Sequence, residues 1–174
     1  MTPIISIVGK SGVGKTTLLE KLISELKRRG YKVATVKHDT HDFDIDQPGK
    51  DSWRHAQAGS DAVLISSPEK MALIKKLDAE MSLDEIAALL DSFGEVDIIL
   101  TEGYKRGDRP KIEVSRRERS RELLCNEEEL LAIATDQPFP LDVPQFSLDD
   151  AAGIVDLLEE KFENLKKAAK WRQV

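Results

Sequence analysis

The apolar residues of this chain gather into short continuous runs, separated by stretches where they recur at helical spacing. Ile4-Ile5-Ser6-Ile7-Val8 is the first run and predicts a buried strand. Leu18, Leu19, Leu22, Ile23 and Leu26 then recur on one helical face, and Lys27-Arg28-Arg29-Gly30 supplies a basic last turn with a glycine stop. Residues 31–37 predict a second strand. A strand-helix-strand unit this compact implies a parallel pair with a right-handed crossover. Residues 38–50 break the pattern with a long polar, acidic loop that turns at Pro48-Gly49. A short helix over 51–59 and a strand over 61–66 follow. Residues 71–76 read as a further strand, antiparallel or at an edge.

Ser82-Leu83-Asp84-Glu85 is a capping box that opens a helix reaching about Phe93. Val96-Asp97-Ile98-Ile99-Leu100-Thr101 is the clearest buried strand. Residues 110–115 alternate as a strand, 130–134 form another, and 145–147 suit an edge strand. Ser147-Leu148-Asp149-Asp150 caps a last helix, on which Ile154, Leu157, Leu158, Phe162 and Leu165 face one way. Residues 166–174 read as a short basic tail, a fraying helix end. No internal repeat occurs. The alternation predicts one doubly wound, mostly parallel α/β domain over 1–165, with 166–174 as its tail.

The first strand and first helix are joined by Gly9-Lys10-Ser11-Gly12-Val13-Gly14-Lys15-Thr16, which fits the phosphate-loop pattern G-x-x-x-x-G-K-[ST] in its proper strand-to-helix context. Glycines let the backbone approach phosphate oxygens, and the loop amides and helix dipole present positive charge. Lys15 would reach the β- and γ-phosphates and the Thr16 hydroxyl would ligate Mg²⁺, with Thr17 adjoining the nucleotide. The fold expected is therefore that of the P-loop NTPases.

Bulk charge narrows the partners. In 174 residues, 26 basic side chains against 32 acidic ones give a net charge of -6. A nucleic-acid or membrane surface needs the opposite balance, so neither partner is expected. No apolar run reaches membrane-spanning length and no signal-peptide pattern opens the sequence, which places the chain in the cytoplasm. Its single cysteine, Cys125, fits a reducing compartment and reads as an inert thiol.

Ligands of open α/β sheets sit at the carboxyl ends of strands, where Lys37-His38-Asp39, Glu102-Gly103 and Thr135-Asp136 stand beside the loop. Glu102 is the candidate second oxygen partner of Mg²⁺, directly or through water. Asp44 and Asp46 would contact metal or orient a water, or form a solvated acidic loop; Asp44 is the candidate catalytic carboxylate beside Lys15 and Glu102. His38 and His41 lack a fixed metal-site framework and read as loop residues. Lys50 and Arg54 would suit a second anionic ligand. The charged stretch 116–122 reads as a solvated turn or helix, or else as a basic patch that touches phosphate or a partner. Asp136 can accept from both N1–H and the 2-amino group of guanine, a donor pair that adenine lacks.

These residues resemble a known family. The carriers are the phosphate loop, Lys37-His38, Asp42-Phe43-Asp44-Ile45-Asp46, Pro48-Gly49-Lys50-Asp51-Ser52, Ala58-Gly59, Thr101-Glu102-Gly103-Tyr104-Lys105, Pro110-Lys111-Ile112-Glu113 and Ala132-Ile133-Ala134-Thr135-Asp136. Together they resemble the molybdopterin-guanine dinucleotide biosynthesis protein B (MobB) family. The resemblance implies a GTP-binding protein with weak Mg²⁺-dependent GTPase activity and a homodimer. It also implies a partner, the guanylyltransferase that attaches GMP to molybdopterin, with molybdopterin or its guanine dinucleotide as a further ligand. Two other functions fit the same scaffold: a small-molecule kinase or dethiobiotin synthetase-like ligase, for which Arg116, Arg117, Arg119 and Arg121 would be the lid, and a carrier or adapter that holds nucleotide without turnover.

Overall fold

A computed structural model describes residues 2–39, 43–163 and 165. His41, Asp42 and the basic tail lie outside the described residues. Chain contacts divide the molecule into two compact units, one formed by residues 1–38 and 87–174 and the other by 39–86.

The first unit is built on a six-stranded sheet. In chain order its strands are β1 (Ile4–Val8), β2 (Val33–Lys37), β5 (Ile98–Glu102), β6 (Lys111–Ser115), β7 (Leu130–Thr135) and β8 (Gln145–Phe146), and in space they run β2-β5-β1-β6-β7-β8. Every neighbouring pair is parallel, so all six carboxyl ends share one edge. The strands β1 and β2 are parallel but not paired, because β5 lies between them. That corrects the adjacency expected from their short spacing. The more hydrophobic β5, buried on both faces, takes the central position beside β1.

Period-2 alternation sorts the strand residues onto two faces. Ile5, Ile7, Ile98, Leu100, Ile112, Val114, Ala132 and Ala134 form one core with α1 (Lys15–Arg28) and α4 (Ala151–Lys161). The helix α1 contributes Leu18, Leu19, Leu22 and Leu26, each of which stabilises by roughly 1.5–3 kcal/mol on full burial. Asp150 caps α4 by accepting the Gly153 N–H at 2.9 Å. The helix ends at Lys161, before Leu165, which is buried all the same.

The opposite face holds Ser6, Thr101, Lys111 and Glu113, all buried. The alternation in β6 therefore does not mark a solvated face; all five of its residues are buried. Lys111 pairs with Glu129, and the Glu113 carboxylate accepts the N–H groups of Leu124 and Cys125 at 2.7 and 3.0 Å. These bonds fasten the segment after β6 to that face. Burial first, then the Glu113 charge, pushes the Cys125 thiol up to about 12, so the thiolate is suppressed, as the inert reading of Cys125 requires.

The second unit contains α2 (Asp51–Gln57) and an antiparallel hairpin of β3 (Ala62–Ser66) and β4 (Met71–Lys75), which forms a sheet of its own. The hairpin carries exposed Leu64, Ile65, Met71 and Leu73. The helix α3 (Leu83–Ser92) crosses the boundary between the units. Its capping box is present: Ser82 N–H donates to Glu85 at 2.8 Å and Glu85 N–H to Ser82 Oγ at 3.3 Å. No helix among the described residues is long and apolar enough to cross a membrane.

Candidate functional site

The loop 9–14 leaves β1 at the shared carboxyl edge and enters α1 at Lys15. Its backbone explains its glycines. Gly12 and Gly14 have φ of 75° and 99°, in the left-handed region. Gly9 has φ 147°, and a Cβ there would lie 2.5 Å from the Val114 carbonyl oxygen of the neighbouring strand β6. Only a residue without a side chain lets the loop start so close to the sheet.

Two sequence-predicted metal partners meet beside the loop. The Thr16 hydroxyl, in the first turn of α1, lies 3.1 Å from both carboxylate oxygens of Glu102, the last residue of β5. The pairing of β1 with β5 places Glu102 opposite Ile7, one strand from the loop. A hydroxyl and a carboxylate are the hard oxygen donors Mg²⁺ prefers, and Mg²⁺ commonly takes few protein ligands and completes its shell with phosphate and water. The residues present thus fit the ion. No group of three or more His, Cys, Asp and Glu side chains that could hold a metal ion occurs among the described residues.

Lys15 Nζ donates to the Lys10 carbonyl at 3.1 Å, which folds its ammonium over the loop. Burial holds its pKa below the usual lysine value, the Glu102 charge opposes that shift and Lys105 adds to it. Behind Glu102 the chain turns sharply, with φ of 107° at Gly103 and 51° at Tyr104. His38 stacks on Tyr104 with ring centroids 4.5 Å apart, and His38 N–H donates to the Glu102 carbonyl at 2.9 Å. The end of β2 therefore braces the end of β5, and His38 has a structural place as a loop residue.

A family model described as molybdopterin guanine dinucleotide synthesis protein B (MobB) matches residues 4–136, well over half of the chain. The chain belongs to the MobB family. A molybdopterin-guanine dinucleotide biosynthesis adapter protein from Haemophilus influenzae is 39% identical over 157 residues, covering 90% of this chain and 88% of the relative. The protein of the same name from Escherichia coli is 36% identical over 165 residues, covering 92% and 93%. Among solved structures, Bacillus subtilis MobB superimposes with a TM-score of 0.72 at 25% identity over 90% of this chain and 96% of that one.

Within this MobB chain the structure brings together Gly9, Lys10, Ser11, Gly12, Val13, Gly14, Lys15, Thr16 and Glu102. Thr17 is exposed on the first turn of α1. Asp136 stands exposed past the end of β7, where its Oδ1 accepts the Arg117 N–H at 2.8 Å. Asp44 and Asp46 belong to the second unit. Asp44 is exposed, whereas Asp46 Oδ1 accepts the N–H of Gln47 at 2.8 Å and the Ser52 hydroxyl at 3.1 Å, which ties the acidic run to the start of α2. Arg54 lies 3.6 Å from Asp51.

The arginine-rich stretch is a turn, as one of its two readings held, yet it is not simply solvated. Arg116 Nε donates to the Val13 carbonyl at 2.8 Å. The Arg119 guanidinium lies over Gly12, 3.6 Å from where a Cβ would be. The sequence favoured neither contact, because both depend on β6 lying next to β1.

Proposed function

We propose that this chain is a GTP-binding adapter in the synthesis of molybdopterin-guanine dinucleotide, accessory to the molybdenum cofactor guanylyltransferase and capable of slow, Mg²⁺-dependent GTP hydrolysis. The observation that carries the nucleotide part is the convergence of Thr16 and Glu102 at a complete phosphate loop. The pathway rests on membership of the MobB family and on the adapter named in its relatives.

In this reading the loop amides and Lys15 bind the β- and γ-phosphates. Thr16 and Glu102 would hold Mg²⁺, which would supply neutralising charge to the phosphates. Asp136 meets the guanine edge; its carboxylate oxygens have four acceptor sites in all, and the Arg117 N–H uses one. Asp44 as the water-orienting carboxylate is carried by its sequence run. The exposed Leu64, Ile65, Met71 and Leu73 of the hairpin supply apolar surface of the kind protein contacts use, in keeping with a homodimer or a partner enzyme. A cytoplasmic site of action follows from the same reading.

A second reading, nucleotide held without turnover, is favoured by the word adapter in the relatives' names. Calorimetric titration of GTP, ATP and xanthosine triphosphate with and without Mg²⁺, joined to multiple-turnover phosphate release, separates the two. The expected result is one GTP site that requires Lys15, with Lys15→Ala losing at least a hundredfold in affinity and Asp136→Asn moving preference toward xanthosine triphosphate. Retained GTP affinity in Lys15→Ala sinks the loop assignment. Added acceptors that accelerate phosphate consumption would point instead to a kinase or ligase.

A further inference from the structure

We infer that the turn at residues 116–120 is a cationic flap, through which this chain supplies its own arginine to the terminal phosphate of the bound nucleotide. The inference rests on the nucleotide reading above and names a residue that reading does not use, Arg119.

The flap is built, and its place is set by the sheet. The strand β6 ends at Ser115 directly beside the start of the phosphate loop, so the next residues emerge over the loop. Arg119 N–H and Ser120 N–H both donate to the Arg116 carbonyl, at 2.9 and 3.0 Å, and close the turn. Neighbouring elements then hold it at several points. Asp136 accepts the Arg117 N–H. Gln137 Nε2 donates to the Ser120 carbonyl at 2.7 Å and to Ser115 Oγ at 3.3 Å. Lys10, from the phosphate loop itself, donates to the Ser120 hydroxyl.

The two arginines are placed differently. Arg116 is half-buried, bonded through Nε to the Val13 carbonyl, with its guanidinium about 3.5 Å from where a Gly14 Cβ would be. It sets the loop's conformation and is a positioning residue. Arg119 is exposed and lies over Gly12. Neither guanidinium forms an ion pair with a carboxylate among the described residues; Asp149 feels the Arg116 charge but is hydrogen-bonded to Lys21. Lys10, Lys15, Arg116 and Arg119 thus gather four cations about one loop in a chain whose net charge is -6. Like charges so gathered repel one another unless a polyanion sits among them. A guanidinium matches phosphate oxygens with its planar fork.

The reaction served is hydrolysis. A water oxygen bonds to the γ-phosphorus as the bond to the β–γ bridging oxygen breaks; that electron pair leaves with GDP, and one water proton passes to solvent. Negative charge builds on the bridging and γ oxygens, and Arg119 stabilises it without a second subunit or activator.

The test compares Arg119→Ala, Arg119→Lys and Arg116→Ala with wild type in steady-state phosphate release and in affinity for GTP and GDP, with Lys27→Ala, an exposed cation in the last turn of α1, as a charge control and melting curves as a check of folding. Arg119→Ala is expected to lower kcat at least tenfold and to reduce the GTP-over-GDP preference, with GDP affinity within about twofold of wild type; Arg119→Lys recovers only part. Arg116→Ala weakens GTP and GDP alike, and Lys27→Ala changes neither. Wild-type kcat and GTP-over-GDP preference in a folded Arg119→Ala overturn the inference. A wild-type chain that prefers ATP refutes the guanine reading and leaves the arginine comparison to be made with ATP and ADP. One that binds no triphosphate refutes both.

Discussion

At the scale of single residues, Glu102 carries the most weight. It ends a strand of four buried residues, and its carboxylate leaves the sheet directly toward Thr16. Glu102→Gln keeps the size and one acceptor oxygen, so the Thr16 hydrogen bond survives while the charge is lost. Phosphate release with Mg²⁺ is expected to fall at least tenfold, about 1.4 kcal/mol of transition-state stabilisation, with Mg²⁺-free GTP affinity unchanged. Parallel loss in both measurements would make Glu102 a structural residue. That Thr16 and Glu102 lie together beside the loop was legible in the sequence, because a motif fixes spacing and a strand end fixes direction. The contacts of Arg116 and Arg119 were not, since a charged run looks the same whether it faces water or a loop.

At the scale of elements, α1 and α4 are joined by a charge network around Arg29. Its guanidinium bonds Glu25 at 2.7 Å, Asp156 at 2.6 Å and Glu159 at 3.1 Å, and the Tyr31 hydroxyl donates to Glu159 at 2.9 Å. Hydrogen bonds from Arg28 and Arg29 pull the Glu25 carboxyl down from 4.5 to about 2. A folded-state pKa below the unfolded one stabilises the fold above the unfolded pKa, and this contribution fades as pH falls through the folded value. The melting-temperature gap between wild type and Glu25→Gln is therefore expected to be full at pH 7 and to close between about 4.5 and 2. A gap that stays constant down to pH 3 would show that Glu25 acts through packing instead. The same scale holds the clearest departure from pattern. The strand β6 alternates like a half-solvated strand, but Lys111 and Glu113 are buried because residues 124–129 supply their partners. Such a pairing is invisible until the segment is folded back.

At the scale of the whole molecule, burial is uneven. The strands β1 and β5 are central and almost wholly buried, whereas β3 and β4 form a separate hairpin with exposed apolar side chains. Hydrogen exchange read by mass spectrometry is expected to show the amides of β1 and β5 protected longest, with those of β3 and β4 exchanging at least tenfold faster. Equal protection of the hairpin at low protein concentration would mean that it is as stable as the sheet by itself.

By itself the sequence determined the elements and the loop, because local periodicity and a short motif depend on near neighbours along the chain. Strands β1, β5, β6 and β7, the helices α1, α3 and α4 and the phosphate loop all follow from residues read a few at a time. Only the tertiary structure decided that β5 intervenes between β1 and β2, that β3 and β4 pair in a sheet of their own, and that β6 delivers an arginine turn to the loop. Strand order is set by which faces exclude most water when all strands compete at once. That competition is between residues far apart in the chain, and no local pattern records its outcome.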